Sequence, residues 1–262
     1  SSDILDFEGS TIFVSQDETI SVNTINSNID FFVNIYEQLG SVLVVNGIQN
    51  KHYISEIQHV RRRETIAMTP VNCYTALQAL LKNSRFPISL SNLEINKKKV
   101  LDTITSITGA DTKPLVGSSG LSIQYAIMMG LIEYAQESHK EKSIKFIVPP
   151  NCYGGTNDQA RRVAACNKNV EVVDLLVDGE HDMVQSIDTI LAEIASQDAV
   201  PFIIAEIPTN PRVEVPDLQQ LKTVLEKKRT TKEGMNAIDA VFILDQTFCP
   251  NVLFLGEGKV LS

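Results

Sequence analysis

The sequence predicts an α/β protein with a mostly parallel sheet and flanking helices, and three observations lead there. From Leu115 onward, short apolar runs alternate with longer segments whose apolar residues recur at helical spacing, the pattern of βαβ units. Two runs, Phe202-Ile203-Ile204-Ala205-Glu206-Ile207 and Val241-Phe242-Ile243-Leu244, are apolar without alternation, as strands covered on both faces must be. Each stops abruptly in hydrogen-bonding residues, Thr209-Asn210 and Asp245-Gln246-Thr247. In such sheets ligands lie beyond the carboxyl ends of the strands. Asn210, Asp245 and Thr247 are therefore expected at a site, with Asp245 desolvated at its floor.

The 262 residues are 43% hydrophobic and 21% charged, with a formal net charge of −9. Such a chain can bury one large α/β domain, or one and a half domains. The acidic balance argues against nucleic acid and anionic membrane surfaces as partners. Every apolar run falls far short of the roughly 20 residues of a membrane span. Ser1-Ser2-Asp3 begins neither a basic nor an apolar leader, so a cytoplasmic location is expected. The four cysteines (Cys73, Cys152, Cys166, Cys249) and four histidines (His52, His59, His139, His181) show neither disulfide nor zinc spacing; no metal is expected.

Residues 1–90 read as an N-terminal arm or extra segment without a legible role. Asp3–Phe7 and Thr11–Ser15 suggest short edge segments, and Asn23–Asp30 a polar linker. Phe31, Phe32, Ile35, Tyr36 and Leu39 recur with a helical period, which predicts a helix ended by Gly40. Val42–Val45 is expected to be a buried strand. The basic cluster His59–Arg63 fits a solvated helix face, or an anion contact made across a subunit boundary. Pro70 opens a helix through Leu81, and Asn92–Ile107 forms another with Leu93, Val100, Ile104 and Ile107 inward.

Beyond Leu115-Val116 come a helix from Leu121 to about Tyr134, a strand at Ile144–Val148 and a helix at Asn157–Ala165. A strand at Val170–Val177, a helix at Met183–Ala195, the strand Phe202–Ile207, a helix at Leu218–Lys228 and the strand Val241–Leu244 complete the series.

Three places carry chemistry. Gly117-Ser118-Ser119-Gly120 feeds the N-terminus of the Leu121 helix, where unsatisfied N–H groups and the helix dipole suit a phosphate; a plain N-cap is the other reading. Tyr153, with Gly154 and Gly155 behind it on a strand-end loop, can lie flat on a planar ligand, or be an ordinary half-buried turn residue. Asp245 calls for a cationic partner, either a protonated ring nitrogen or an Arg or Lys of the chain itself. A phosphate cradle, an aromatic lid, an anionic floor and the Asn210 amide together fit a flat phosphorylated pyridinium with a ring hydroxyl, which is pyridoxal 5′-phosphate (PLP).

Four segments carry a family resemblance: Ser118-Ser119-Gly120-Leu121, Tyr153-Gly154-Gly155-Thr156, Glu206-Ile207-Pro208-Thr209-Asn210-Pro211 and Leu244-Asp245-Gln246-Thr247-Phe248. In order and content they resemble the Cys/Met-metabolism family of PLP enzymes, which includes cystathionine γ-synthase, the cystathionine lyases and methionine γ-lyase. The resemblance implies an aspartate-aminotransferase-like large domain (PLP fold type I) over residues 91–262. It also implies roles. Ser119 and the backbone of Gly120 and Leu121 would hold the phosphate, Tyr153 would stack on the ring, and Asn210 would meet the ring hydroxyl. Asp245 would pair with the pyridine nitrogen, supported by Thr247. The implied activity is formation or cleavage of a C–S bond in a sulfur amino acid through an external aldimine and carbanion.

Three departures accompany it. The family's Schiff-base lysine and small C-terminal domain are expected beyond Ser262, since Lys259 comes too early and has the wrong flanks. The family's phosphate-reaching arm has its nearest counterpart in Asn83-Ser84-Arg85-Phe86-Pro87, making Arg85 a candidate. About 90 residues precede the first matching helix, and Thr69–Leu77 is similar to a segment the family places after its lysine. An unusual chain order or a fused half-domain is one expectation from this. The implied partners are a small sulfur amino acid and a homodimer or homotetramer, or a second polypeptide completing the fold. The alternatives are a catalytically inactive relative serving as a binding or assembly module, and an unrelated doubly wound domain with Asp245 paired to an internal Arg.

Overall fold

The structure is a computed structural model that describes residues 9–16, 27–36, 39–63, 68–82, 92–109, 112–250 and 252. The chain falls into two units, Ser1–Leu93 and Glu94–Ser262.

In the first unit, β1 (Ile12–Gln16) runs parallel to β2 (Phe31–Tyr36), which pairs antiparallel with β3 (Gly40–Val45) in the order β1-β2-β3. The helix expected over Phe31–Leu39 is thus a strand. Its residues are almost all aromatic or β-branched, and a central strand buries side chains on both faces. Phe31 and Phe32 are neighbours on opposite faces, yet both are buried. That pairing mimics a helical period. Asn34 is buried on the Phe32 face and donates from Nδ2 to the Tyr36 hydroxyl at 3.0 Å. Asp30 ties the strand ends together: Oδ2 accepts the Thr11 N–H and Oδ1 the Asn50 amide, both at 2.8 Å. The Thr11 N–H, then Asn50, hold its carboxyl below the usual carboxylate range.

β3 is also not the buried strand expected, because no residue of Gly40–Val45 is fully buried. Its exposed residues fall on both faces of the strand, so neither face is fully covered. Two helices complete this unit, α1 (Tyr53–Arg63) and α2 (Pro70–Lys82), the latter as the Pro70 start predicts. Tyr53 stacks edge-on to Phe31 with ring centroids 5.3 Å apart. The basic cluster His59–Arg63 forms the end of α1. Asp3–Phe7, residues 23–26 of the expected linker, Arg85 and Lys259 lie outside the described residues.

Helix α3 (Leu93–Thr108) forms where expected, but it buries no residue. Leu93, Val100 and Ile107 are exposed instead of inward, and Ile104 is half-buried. Periodicity states which side chains share a face; it does not supply the surface that covers them.

The second unit is the predicted βα series. Helices α4 (Gly120–Ser138), α5 (Gly154–Ala165), α6 (Met183–Ser196) and α7 (Leu218–Glu226) alternate with strands β4 (Ile144–Val148), β5 (Val170–Asp174), β6 (Val200–Glu206) and β7 (Val241–Asp245). All pairings are parallel, in the order β5-β4-β6-β7. Sequence residues set the helix starts: Asp182 and Asp217 are N-caps whose carboxylates accept the Gln185 and Gln220 N–H groups at 2.9 and 3.0 Å. Helix α5 begins three residues before the expected Asn157, so Gly154 and Gly155 are helical.

Both faces of this sheet are covered. Phe146, Val148, Phe202 and Ile204 pack with Met128 and Ile132 of α4 and Ala160 and Val163 of α5. Ile147, Ile203, Ala205 and Phe242 pack with Ile187, Leu191 and Ile194 of α6 and Leu221 of α7. Alternate residues of one strand feed two cores, so β6 reads as an apolar run up to Glu206 and β4 as one broken only by Lys145. The strand order also fixes a switch point. From β4 the chain moves to β5 on one side, then crosses back to β6 on the other, and the carboxyl ends of β4 and β6 are where sheets of this kind place a ligand crevice.

Candidate active site at the switch point

At this switch point the ends of β4, β6 and β7 are linked to one another and to the starts of α4 and α5 by specific contacts. Ser119 is the N-cap of α4 in a reciprocal capping box: its N–H donates to Ser122 Oγ at 3.0 Å, and the Ser122 N–H donates to Ser119 Oγ at 3.1 Å. The Ile123 N–H donates to the Ser119 carbonyl. Among the described residues, the N–H groups of Gly120 and Leu121 are left without an acceptor, at the positive end of a helix of 19 residues. A Cβ on Gly120 would meet nothing within 4 Å, whereas one on Gly117 would lie 2.8 Å from Ser122 Oγ. Gly117 is thus the glycine that packing requires, and Gly120 faces open space.

Tyr153 is the N-cap of α5 and is 51% exposed. The first turns of α4 and α5 are stitched together. Gln159 Nε2 donates to the Leu121 carbonyl at 3.0 Å, and the Thr156 hydroxyl to Gln124 Oε1 at 3.2 Å. A Cβ on Gly155 would lie 2.5 Å from Tyr153 Cε1 and 3.0 Å from Leu121 Cδ2. The missing side chain is what lets Tyr153 and Leu121 approach each other.

Asp245 ends β7 and is half-buried, not sealed off as the apolar run before it suggests. Its Oδ1 accepts the Thr247 N–H at 2.9 Å and the Thr247 hydroxyl, and among the described residues no Arg or Lys forms an ion pair with it. Asn210 is half-buried in the turn after β6, which the Thr209 hydroxyl closes by accepting the Glu214 N–H at 3.0 Å.

The buried acid is Glu206, the last residue of β6 and the cross-strand neighbour of Asp245. It is 7% exposed, and its Oε1 accepts the Tyr153 N–H at 2.8 Å. Burial pushes its carboxyl above the usual carboxylate range. The Asp245 charge adds to this, while the Tyr153 and Asn210 amides pull the other way, the latter without closing a hydrogen bond on Oε2. The same surroundings keep the Cys152 thiol protonated, pushed up to about 12 by burial and then by the Glu206 and Asp245 charges.

The structure therefore groups Leu121 with Tyr153 and Asp245 with Thr247, and Glu206 links the two groups. Glu206 was legible by the rule that singles out Asp245, an acid ending an apolar run. Gly117 and Gly155 lie in motifs legible in the sequence, but their role there is close packing; Gln159, which ties α5 to the Leu121 carbonyl, had no signal.

Several solved structures resemble the chain, three of them as follows. A cystathionine gamma-lyase from Micromonospora echinospora is 19% identical over 58% of this chain and 33% of its own, with a TM-score of 0.41. The metB protein of Corynebacterium glutamicum is 22% identical over 56% and 30%, at 0.37. A serine palmitoyltransferase from S. paucimobilis, solved with a bound PLP-myriocin aldimine, is 16% identical over 57% and 31%, at 0.38. The matched part of this chain thus spans about a third of each solved chain. No family model and no curated protein sequence matches it.

Proposed function

We propose that the switch-point crevice binds pyridoxal 5′-phosphate, and that the chain is the cofactor-binding part of an enzyme making or breaking a C–S bond of a sulfur amino acid. The observation that carries this reading is a half-buried carboxylate, Asp245, with no cationic partner among the described residues, near two helix N–H groups without acceptors and an exposed tyrosine. When bound, PLP supplies an electron sink for bonds at the amino-acid α-carbon.

The chain's own residues do the rest. The Gly120 and Leu121 N–H groups and the α4 dipole bind the phosphate without a dedicated cation, beside the Ser119 cap. Tyr153 covers one face of the ring and excludes water from it. Asn210 contributes an amide donor to the ring hydroxyl. Thr247 occupies Asp245 Oδ1 and leaves Oδ2 free of that contact, so the carboxylate would be available to pair with a protonated ring nitrogen and favour its charged form. The sulfur amino-acid substrate and a homo-oligomeric or two-chain assembly belong to the same proposal.

Equilibrium dialysis against pyridoxal 5′-phosphate tests it. Asp245→Asn keeps the size and removes the charge, and should weaken binding about tenfold or more, the loss of a charge-assisted hydrogen bond. Equal affinity of wild type and Asp245→Asn would remove the basis of the reading.

A further inference from the structure

None of the binding roles above uses Glu206, although it is the most buried acid at the crevice. It is 7% exposed; Oε1 takes the Tyr153 N–H at 2.8 Å, while Oε2 is buried with no hydrogen-bond partner. A half-satisfied buried carboxylate is costly, and an apolar residue would extend the β6 run without that cost. What the carboxylate adds is a tie between β6 and a residue 53 positions away. Tyr153 needs one. As N-cap it makes no side-chain capping bond, and the residue is 51% exposed, so packing holds only part of it. Its carbonyl accepts the Thr156 N–H of α5 at 2.8 Å, and its ring approaches Gly155 and Leu121, but neither contact holds its own N–H.

Resting on the cofactor reading, we propose that Glu206 is a positioning residue that sets the tyrosine ring over the ligand by holding the Tyr153 backbone N–H. It acts through Tyr153 and touches no reacting atom. The charged and titratable groups facing it are Asp245 on β7 and the Cys152 thiol and Tyr153 on the β4–α5 connection.

Two readouts on the whole chain test the proposal: hydrogen exchange of the Tyr153 amide without ligand, and the dissociation constant of pyridoxal 5′-phosphate. Glu206→Leu removes the acceptor, and Glu206→Asp keeps the charge but falls a methylene short. In both, the Tyr153 amide should exchange about tenfold faster and affinity should fall about tenfold, as expected for losing one hydrogen bond to a charged acceptor. Exchange of the Phe146 amide in β4 should not change. Glu206→Gln, whose amide oxygen still accepts, should restore both to within about threefold. Tyr153 protection unchanged in Glu206→Leu and Glu206→Asp would overturn the proposal, as would failure of Glu206→Gln to rescue. If the wild-type protein binds no pyridoxal 5′-phosphate, the cofactor reading falls, and the ligand-free exchange still decides whether Glu206 holds Tyr153.

Discussion

Strand β4, Ile-Lys-Phe-Ile-Val, and strand β3, Gly-Ser-Val-Leu-Val-Val, are apolar runs of similar length, yet every residue of β4 is buried and none of β3 is. Both segments are strands for the same local reason, a cluster of β-branched and aromatic residues. They differ in what surrounds them. β4 lies inside a sheet with α4 and α5 on one face and α6 and α7 on the other, whereas β3 is the edge of a three-stranded sheet. An apolar run specifies an extended segment; its burial is supplied from elsewhere in the chain. Even Lys145 is buried in β4, because Glu171 on the neighbouring strand pairs with it at 2.6 Å.

The largest test of this contrast is Phe202→Ala. Phe202 is 1% exposed and its ring centroid lies 5.5 Å from that of Phe146. Its loss should cost about 3–5 kcal/mol in urea unfolding followed by circular dichroism. Leu43→Ala in β3, where the side chain is 38% exposed, should cost less than about 1 kcal/mol in the same measurement. Comparable losses would mean that the two sheets are covered alike.

Two carboxylates of the second unit extend the comparison to pH, with opposite signs. The folded-state pKa of Glu206 is raised, so the fold binds the extra proton. Wild-type stability falls as pH climbs from the ordinary glutamate value through the folded value, and stays lower above it. Glu206→Gln should therefore gain about 1 kcal/mol at pH 8 and nothing below about pH 4, read from melting curves across pH. Asp188 is the converse. It pairs with Lys227 at 2.9 Å and Arg229 at 2.6 Å, and hydrogen bonds from Lys227 and then Arg229 hold its pKa low. That stability is present above the unfolded value and is lost as pH falls through the folded one. With the Asp188 side chain 34% exposed, Asp188→Asn should cost about 0.5–1 kcal/mol at neutral pH after screening, and less in acid.

The candidate site was legible where a polar residue stops an apolar run, as at Asn210 and Asp245, or where small residues precede a long helix, as at Ser119-Gly120. It was not legible that Glu206, rather than Asp245, is the buried acid. Both end strands, and their difference depends on the Tyr153 connection that packs over one of them. The helix expected at Phe31–Leu39 failed for a related reason. Two adjacent buried phenylalanines suit either a helix stripe or a strand covered on both faces, and only the partners β1 and β3 distinguish the two.

By itself, the sequence determined the order of strands and helices from α4 to β7, the helix starts at Ser119, Asp182 and Asp217, and the polar strand ends that mark the crevice. These features depend on neighbours a few residues away. Only the tertiary structure decided that Phe31–Tyr36 is a strand, that α3 leaves its apolar face exposed, and that Glu206 reaches Tyr153. Burial and pairing are set by segments distant in sequence, and local pattern does not record what those segments cover.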